Sequence, residues 1–136
     1  LWKNERDFGH GTGHGVGSYL CVHEGPQSIR KEMRDVPMLE HMVCSNEPGI
    51  YCEGRYGIRI ENLVAVQKHS SNEFGDFYRL ETLTLCPLDT RAVIVDMLTE
   101  EERQWLNNYN QWVEKTLSPL VGKEQQAWLK ERCKAI

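Results

Sequence analysis

Alternating glycines between Gly9 and Gly17 constrain the fold of this chain more than any other feature of its sequence. A helix with so many glycines is disfavoured, because each glycine loses more backbone freedom on folding than any other residue. A backbone without side chains can instead pass close to another part of the molecule. The segment therefore predicts an extended or looping backbone. A strand over 16–23 is expected to follow it and to end at the turn residues 24–26.

The composition is that of a globular chain and argues against two classes of partner. The 136 residues suffice for one domain, and 40% of them are hydrophobic and 26% charged. No apolar stretch approaches the roughly 20 residues that a membrane helix needs. Lys and Arg number 16 against 20 Asp and Glu, a formal net charge of −4. Binding to nucleic acid or to anionic membranes needs a basic surface, so we expect neither partner.

The cysteines and the first residues indicate the cellular compartment. The five cysteines are widely spaced and include no CxxC pair, which favours free thiols over a disulfide framework or a zinc site. Free thiols are typical of a reducing compartment, so a cytoplasmic location is expected. Residues 1–7 are charged and lack the apolar core of a signal peptide. Because the chain begins with Leu1 rather than Met, we expect a processed chain or a piece of a longer one.

The middle of the chain is predicted to form strands. Short or alternating apolar runs predict strands over 41–45, 57–69, 78–86 and 91–96. The polar segment 70–76 reads as a loop. The middle of the chain is therefore expected to consist of strands and turns.

The end of the chain is predicted to be helical. Thr99 and Glu102 form a capping-box pattern at a helix start. Ser118 and Pro119 are expected to cap the last helix. The expected apolar face of the first helix comprises Leu106, Tyr109, Trp112, Val113 and Leu117. The residues expected to face inward on the last helix are Trp128, Leu129 and Cys133.

Three histidines lie in or near the glycine-rich segment. His10 and His14 are separated by four positions, but the glycines around them argue against the helical face that zinc peptidases use, and no Glu follows His10. Their rings are therefore displayed on an open backbone, with His23 close behind. A neutral imidazole in this setting can bind a metal or a substrate. The alternative is a glycine-rich turn with histidines in solvent.

Two glutamates, Glu47 and Glu61, are either exposed surface residues or part of a metal site. Glu47 precedes a Pro-Gly turn, where carboxylates are usually solvated, and Glu61 shares a strand face with Arg59. An exposed Arg–Glu pair would contribute less than about 1 kcal/mol. Alternatively, Glu47 and Glu61 lie close together and bound cations offset their repulsion. The spacing leaves both possibilities open.

Several motifs in register resemble aminopeptidase P, and two in the tail resemble its cytosolic branch. The motifs lie at 7–17, 22–26, 46–51 and 56–62, and in the tail at 83–88 and 105–109. The resemblance covers essentially the whole chain. It implies an α+β fold, the C-terminal part of a pita-bread (creatinase/aminopeptidase-like) catalytic domain. The Gly/His loop and mostly antiparallel sheet would occupy 1–98, and the C-terminal helices 99–136.

The resemblance also implies an activity and a metal site. The family removes the N-terminal residue from peptides whose second residue is proline. It uses two divalent metal ions, typically manganese, with zinc or cobalt as alternatives. His14 would be the histidine ligand, and Glu47 and Glu61 the glutamate ligands, with Glu61 bridging the metals. Glu47 would also take a proton from the attacking water.

The remaining motif residues are implied to act around that site. His10 and His23 would contact the substrate and the tetrahedral intermediate, which makes His23 a catalytic residue together with Glu47. Arg59 would bind at the substrate side and order the site beside Glu61.

One departure from the family pattern limits the expected activity. The family takes two aspartate ligands and a further histidine from sequence upstream of the glycine-rich segment, and the first seven residues hold no equivalent. We therefore expect a C-terminal fragment that is inactive alone, because three ligands hold metal ions poorly. Half of a sheet fold exposes edges and apolar surface, so a homo-oligomer or a companion upstream chain is expected. The alternative functions are a proline dipeptidase of the same fold and a non-catalytic pita-bread module that binds peptides or proteins.

Overall fold

Seven strands and two helices follow one another along the chain in a computed structural model that describes residues 1–136. The strands are β1 (Gly13–Gly15), β2 (Glu24–Ile29), β3 (Val43–Asn46), β4 (Gly49–Cys52), β5 (Tyr56–Arg59), β6 (Asn62–Asn72) and β7 (Gly75–Thr82). The helices are α1 (Glu100–Leu117) and α2 (Lys123–Arg132). Short 3-10 turns lie at Trp2–Asn4, Val95–Met97 and Ser118–Leu120. The chain forms two compact units, Leu1–Thr84 and Leu85–Ile136.

The first unit is built on antiparallel sheets, as the sequence predicts. Five strands pair in the order β2-β1-β3-β6-β7, and β4 and β5 form a separate two-stranded sheet. All pairings are antiparallel. The apolar residues buried at its centre are Cys44, Val64, Ala65 and Val66. Strands β3 and β6 are thus the central pair against which the other strands are placed.

The expected strand over 16–23 is wrong. These residues form a turn in which Tyr19 and Leu20 adopt positive φ angles of 51° and 64°. The turn is closed by a 2.8 Å bond from the Gly17 amide to the Cys21 carbonyl. It reverses the chain so that β2 can pair antiparallel with β1. Glu24, where the sequence predicted a strand end, therefore begins one.

The long strand predicted over 57–69 is two strands in two different sheets. Strand β5 pairs with β4, whereas β6 pairs with β3 and β7. Between them, the Ile60 amide donates to the Pro48 carbonyl at 3.2 Å, and Glu61 lies outside both strands. The periodicity of the β-branched residues continues across this break. The sequence pattern therefore gives no sign that the chain passes from one sheet to the other here.

Two further local predictions need correction. The loop predicted over 70–76 is mostly strand: β6 runs to Asn72 and β7 begins at Gly75, whose φ of 128° suits a glycine turn. The strand predicted over 91–96 is a turn that leads into the 3-10 turn at Val95–Met97.

The second unit is a pair of helices with a small core. The predicted capping box is confirmed, since the Thr99 side chain accepts from the Glu102 amide and the Glu102 side chain accepts from the Thr99 amide. Tyr109, Val113 and Cys133 are buried together. Leu85, Leu88 and Leu117 pack against this cluster.

Parts of the helical prediction are wrong. Leu129 and Cys133 are buried as expected, but Trp128 is 52% exposed. Trp112 of the expected apolar face is 42% exposed. Ser118 and Pro119 form a 3-10 turn after α1, and α2 begins later, with Gly122 as its N-cap.

The remaining global features concern thiols and membranes. All five cysteines are free thiols, and burial raises the pKa of the Cys44 and Cys133 thiols. Neither helix has the combination of length and apolar character needed to cross a membrane.

Candidate functional site

The glycines of β1 let this strand lie between two neighbours at very close range. A Cβ atom at Gly13 would collide with the Ser45 carbonyl oxygen, and one at Gly15 would collide with the Glu24 carbonyl oxygen. The strand has β2 on one side and β3 on the other. His14 lies between the two glycines. Their lack of side chains therefore allows the backbone that carries His14 to lie close to both neighbouring strands.

The side chains of His14 and Glu47 meet at the junction between β3 and β4. His14 Nε2 lies 3.0 Å from Glu47 Oε1, and the Glu47 side chain is only 9% exposed. Ser45 holds both residues: its hydroxyl donates to Glu47 Oε1 at 2.9 Å and accepts from the His14 amide at 3.0 Å. The Glu47 amide donates to the Thr12 carbonyl at 2.7 Å. Glu47 is therefore held in place through both its backbone amide and its carboxylate.

Both ring nitrogens of His14 face oxygen acceptors. Nδ1 lies 2.9 Å from the Gly15 carbonyl oxygen, and Nε2 faces the Glu47 carboxylate. A neutral imidazole has one N–H, so it can donate to only one of these acceptors. The second nitrogen needs either a proton or a cation between it and the carboxylate. Imidazole and carboxylate are also donors that transition metals accept together, so the residues present fit a divalent metal ion.

Arg59 joins the two glutamates of the site. Its Nη1 atom lies 3.2 Å from Glu47 Oε2 and 3.8 Å from Glu61 Oε2. Its Nε atom donates to the Tyr51 hydroxyl at 2.7 Å. The Tyr51 hydroxyl and then the carboxylates of Glu47 and Glu61 raise the pKa of Arg59 above its ordinary value. One guanidinium therefore compensates two carboxylate charges.

His10 and His23 contact different members of this cluster through their rings. The ring of His23 is 4.5 Å from that of His14, centroid to centroid. His10 packs edge-on against Tyr51 at 5.2 Å and lies within 5.7 Å of the Phe8 ring. Its ring nitrogens face the carbonyls of Gly11 and Gly49 at 2.6 and 3.4 Å.

The structure thus brings five of the six predicted site residues into one connected cluster, and His10 joins it through Tyr51. Arg59 forms ion pairs with Glu47 and Glu61, and Glu47 contacts His14. His23 in turn contacts His14. Glu61 approaches Glu47 through Arg59, and no three His, Cys, Asp or Glu side chains converge as a metal-binding group.

Two contributors escaped the sequence analysis. Ser45 holds Glu47, and Tyr51 holds Arg59 and packs against His10. Both lie within four residues of Glu47, and the alternation of side chains along β3 and β4 was the signal that could have indicated them.

Two family models match the chain. Residues 1–68 match metallopeptidase family M24, and residues 76–136 match the model described as the C-terminal region of peptidase M24. Among curated relatives, a probable Xaa-Pro aminopeptidase P of Coprinopsis cinerea is 44% identical and aminopeptidase P1 of Arabidopsis thaliana is 41% identical, each over 100% of this chain.

A solved structure is similar over nearly the whole chain. The X-prolyl aminopeptidase of Caenorhabditis elegans, described as a cytosolic enzyme with a di-nuclear active site, is 40% identical over 99% of this chain, with a TM-score of 0.87. This similarity confirms the predicted α+β, partial pita-bread architecture. The chain spans only 22–23% of the length of these three relatives. The matches confirm the resemblance to aminopeptidase P, and the chain belongs to metallopeptidase family M24.

Proposed function

We propose that this chain carries one side of the metal site of an Xaa-Pro aminopeptidase. His14, Glu47 and Glu61 are the proposed metal ligands. The observation that carries this proposal is the approach of His14 Nε2 to Glu47 Oε1 at 3.0 Å, while Nδ1 faces a carbonyl oxygen. A divalent cation satisfies both groups at once, and the relatives named as aminopeptidases support the activity.

Two divalent ions are proposed, with manganese preferred. The relative from Caenorhabditis elegans is described as having a di-nuclear active site, which supports the number of ions. The proposed donors are two carboxylates and one imidazole, without thiolates, and such a set suits manganese, with zinc or cobalt as alternatives. Bound divalent ions supply Lewis acidity and make water a better nucleophile at neutral pH.

Glu47 and the residues that contact it are proposed to remove the proton from the attacking water. Glu47 accepts a proton from the attacking water, in addition to binding metal. The Ser45 hydroxyl and the Arg59 guanidinium fix the orientation of the Glu47 carboxylate from two directions. Holding a general base in place before the reaction reduces the reorganisation needed in the transition state.

His10 and His23 are proposed to contact the substrate, and His23 also the tetrahedral intermediate. His23 lies against His14 and so borders the proposed metal ligand. His10 lies beside Tyr51, on the Arg59 side of the cluster. The substrate is proposed to be a peptide with proline at its second position. Arg59 contributes at the substrate side through the same guanidinium that pairs with the glutamates.

The proposal extends to the context of the chain. The five free thiols and the relative described as cytosolic support a cytoplasmic location. Three ligands hold metal ions weakly, so the 136 residues alone are proposed to lack turnover. Exposed apolar side chains on β5, such as Ile58 at 55% exposure, support either self-association or a companion chain.

The test is manganese-dependent release of the first residue from an Xaa-Pro-Xaa tripeptide by the full-length protein. Glu47→Gln should reduce turnover at least about a thousandfold, because it removes a ligand and the proton acceptor. His69→Ala, which alters an exposed histidine on β6, is the matched control and should keep full activity. Turnover of Xaa-Pro dipeptides instead would favour the dipeptidase. Metal binding without any turnover would favour the binding module.

A further inference from the structure

A polar cavity of about 320 Å³ lies beside His10, lined by residues 8–11 of the glycine-rich segment and by residues 30–32, which follow β2. Its volume is at the lower end of the roughly 300–1,000 Å³ that is typical of ligand cavities, so it suits a small group such as one amino-acid side chain. None of the proposed metal ligands His14, Glu47 and Glu61 lines it. The cavity therefore adjoins the candidate site through His10 without including the metal ligands.

The lining of this cavity carries more positive than negative charge. Arg30 and Lys31 contribute two cations, and Glu32 contributes one carboxylate. Lys31 already has partners, because its Nζ atom lies 2.6 Å from Asp7 Oδ2 and 4.7 Å from the centroid of the Phe8 ring. Arg30 is exposed, and its guanidinium takes part in no ion pair, hydrogen bond or ring contact within the chain. The cation available to a ligand in this cavity is therefore Arg30.

Arg30 favours a carboxylate as the ligand of this cavity. A guanidinium presents parallel N–H donors whose spacing matches the two oxygens of a carboxylate. The side chains of Phe8 and His10 line the same cavity and can contact the carbon atoms of an acidic side chain. Glu32 is exposed and forms no ion pair, so it repels a carboxylate and limits how strongly Arg30 attracts one.

The direction of the substrate assigns this ligand to a position in the peptide. An Xaa-Pro aminopeptidase has one residue before the bond that it breaks, whereas the peptide continues after the proline. A cavity that adjoins the site through His10 and lacks the metal ligands suits the part of the peptide that continues. We propose that this cavity holds the side chain of the residue after proline, and that Arg30 makes the enzyme prefer an acidic side chain there. This inference rests on the proposed function and defines its substrate class more narrowly.

The test compares kcat/KM of the full-length protein on three peptides that differ only at the third position. The peptides are Ala-Pro-Glu, Ala-Pro-Gln and Ala-Pro-Lys, each with an amidated C terminus, so that only the charge of the third side chain varies. Wild type should prefer the Glu peptide over the Gln peptide roughly threefold or more, mainly through a lower KM, since exposed ion pairs contribute modestly. The preference should decrease at high salt, because the charges are exposed.

Charge variants at the cavity should change this preference in opposite directions. Arg30→Gln should abolish it, and Arg30→Glu should reverse it in favour of the Lys peptide. Glu32→Gln should strengthen it, because the repulsion of the substrate carboxylate is removed. Arg34→Gln removes the same charge at an exposed site that does not line the cavity, so it should keep the preference of wild type. Circular dichroism checks that each variant is folded.

The outcomes separate this inference from the proposed function. A wild type that cleaves all three peptides equally, or a folded Arg30→Gln that retains the preference, would overturn the role of Arg30 and leave the peptidase activity in place. An effect of Arg30→Gln on the first residue of the substrate instead of the third, seen with amidated Glu-Pro-Ala and Gln-Pro-Ala, would also overturn it. A wild type that cleaves no Xaa-Pro peptide would overturn the proposed function and this inference with it.

Discussion

Arg59 places its Nη1 atom 3.2 Å from Oε2 of Glu47, the carboxylate oxygen that does not face His14. The buried carboxylate is therefore contacted by the guanidinium on one oxygen and by the imidazole on the other. The same guanidinium reaches Glu61 at 3.8 Å. Arg59 is the one arginine or lysine that pairs with either glutamate, so its positive charge offsets part of their negative charge when no metal is bound.

Replacing Arg59 by methionine should destabilise the metal-free chain. Glu47 is largely buried while Arg59 is 45% exposed, so the expected loss is smaller than that of a fully buried ion pair. Millimolar Mn²⁺ should restore more stability to Arg59→Met than it adds to wild type, because the metal replaces the lost positive charge. Urea unfolding with and without Mn²⁺ measures both effects. Equal losses in Arg59→Met and in the exposed control Arg34→Met would contradict this account.

Ser45→Ala should destabilise the chain by about 1–3 kcal/mol. The Ser45 side chain is buried, donates to Glu47 Oε1 and accepts from the His14 amide. Its removal leaves a buried carboxylate and a backbone amide without these partners. Chemical denaturation measures the loss, with Ser71→Ala as control, since Ser71 makes one exposed bond to Asp76. If the two variants are equally stable, Ser45 does not support the site.

The carboxyl of Asp7 should titrate at unusually low pH. The hydrogen bond from Lys31, followed by that from Trp2, lowers the pKa of Asp7 from 3.8 to about 2. A pKa lowered by folding contributes stability above pH 3.8, and this contribution is lost as the pH falls toward 2. Lys31→Met should move the pKa back toward 3.8, whereas Lys3→Met should not. Carbon-13 NMR of the Asp7 carboxyl follows the midpoint, and an unchanged midpoint in Lys31→Met would refute the assignment.

Asn110→Ala should destabilise the helical unit by about 2–4 kcal/mol. The amide of Asn110 is buried, accepts from the Leu88 N–H at 3.0 Å and donates to the Leu88 carbonyl at 3.2 Å. Alanine leaves both backbone groups without this partner and opens a small cavity. Asn108→Ala removes an exposed bond to Gln104 and should change stability by less than about 0.5 kcal/mol. Thermal unfolding distinguishes the two variants. Similar melting temperatures would contradict a stabilising role for the two hydrogen bonds between Asn110 and Leu88.

Patterns that depend on neighbouring residues were read correctly from the sequence. The capping box at Thr99 is local, because both of its bonds lie within one turn, and the structure contains it. The glycine-rich segment was correctly predicted not to be a helix. Gly13 and Gly15 lie so close to the neighbouring strands that a side chain at either position would collide with them. The residue types of His14 and Glu47 indicated a metal or substrate site before their contact was known.

Features that depend on distant partners were missed. The run of β-branched residues does not show that one strand ends near Ile60 and that the next strand belongs to another sheet. At this point the Ile60 amide bonds to the carbonyl of Pro48, a residue twelve positions earlier in the chain. The turn at Tyr19 and Leu20 uses non-glycine residues at positive φ, which local preference disfavours. Trp128 was assigned to the core by its helical spacing, but it is 52% exposed and its ring lies beside the guanidinium of Arg132.

Binding of Mn²⁺ to this chain tests the central claim most directly. Electron paramagnetic resonance measures free Mn²⁺ during titration of wild type, His14→Ala, Glu47→Gln and the control His69→Ala. The account predicts weak binding by wild type and His69→Ala, and at least about tenfold weaker binding by the other two variants. Equal binding by all four proteins would contradict the assignment of His14 and Glu47 as metal ligands.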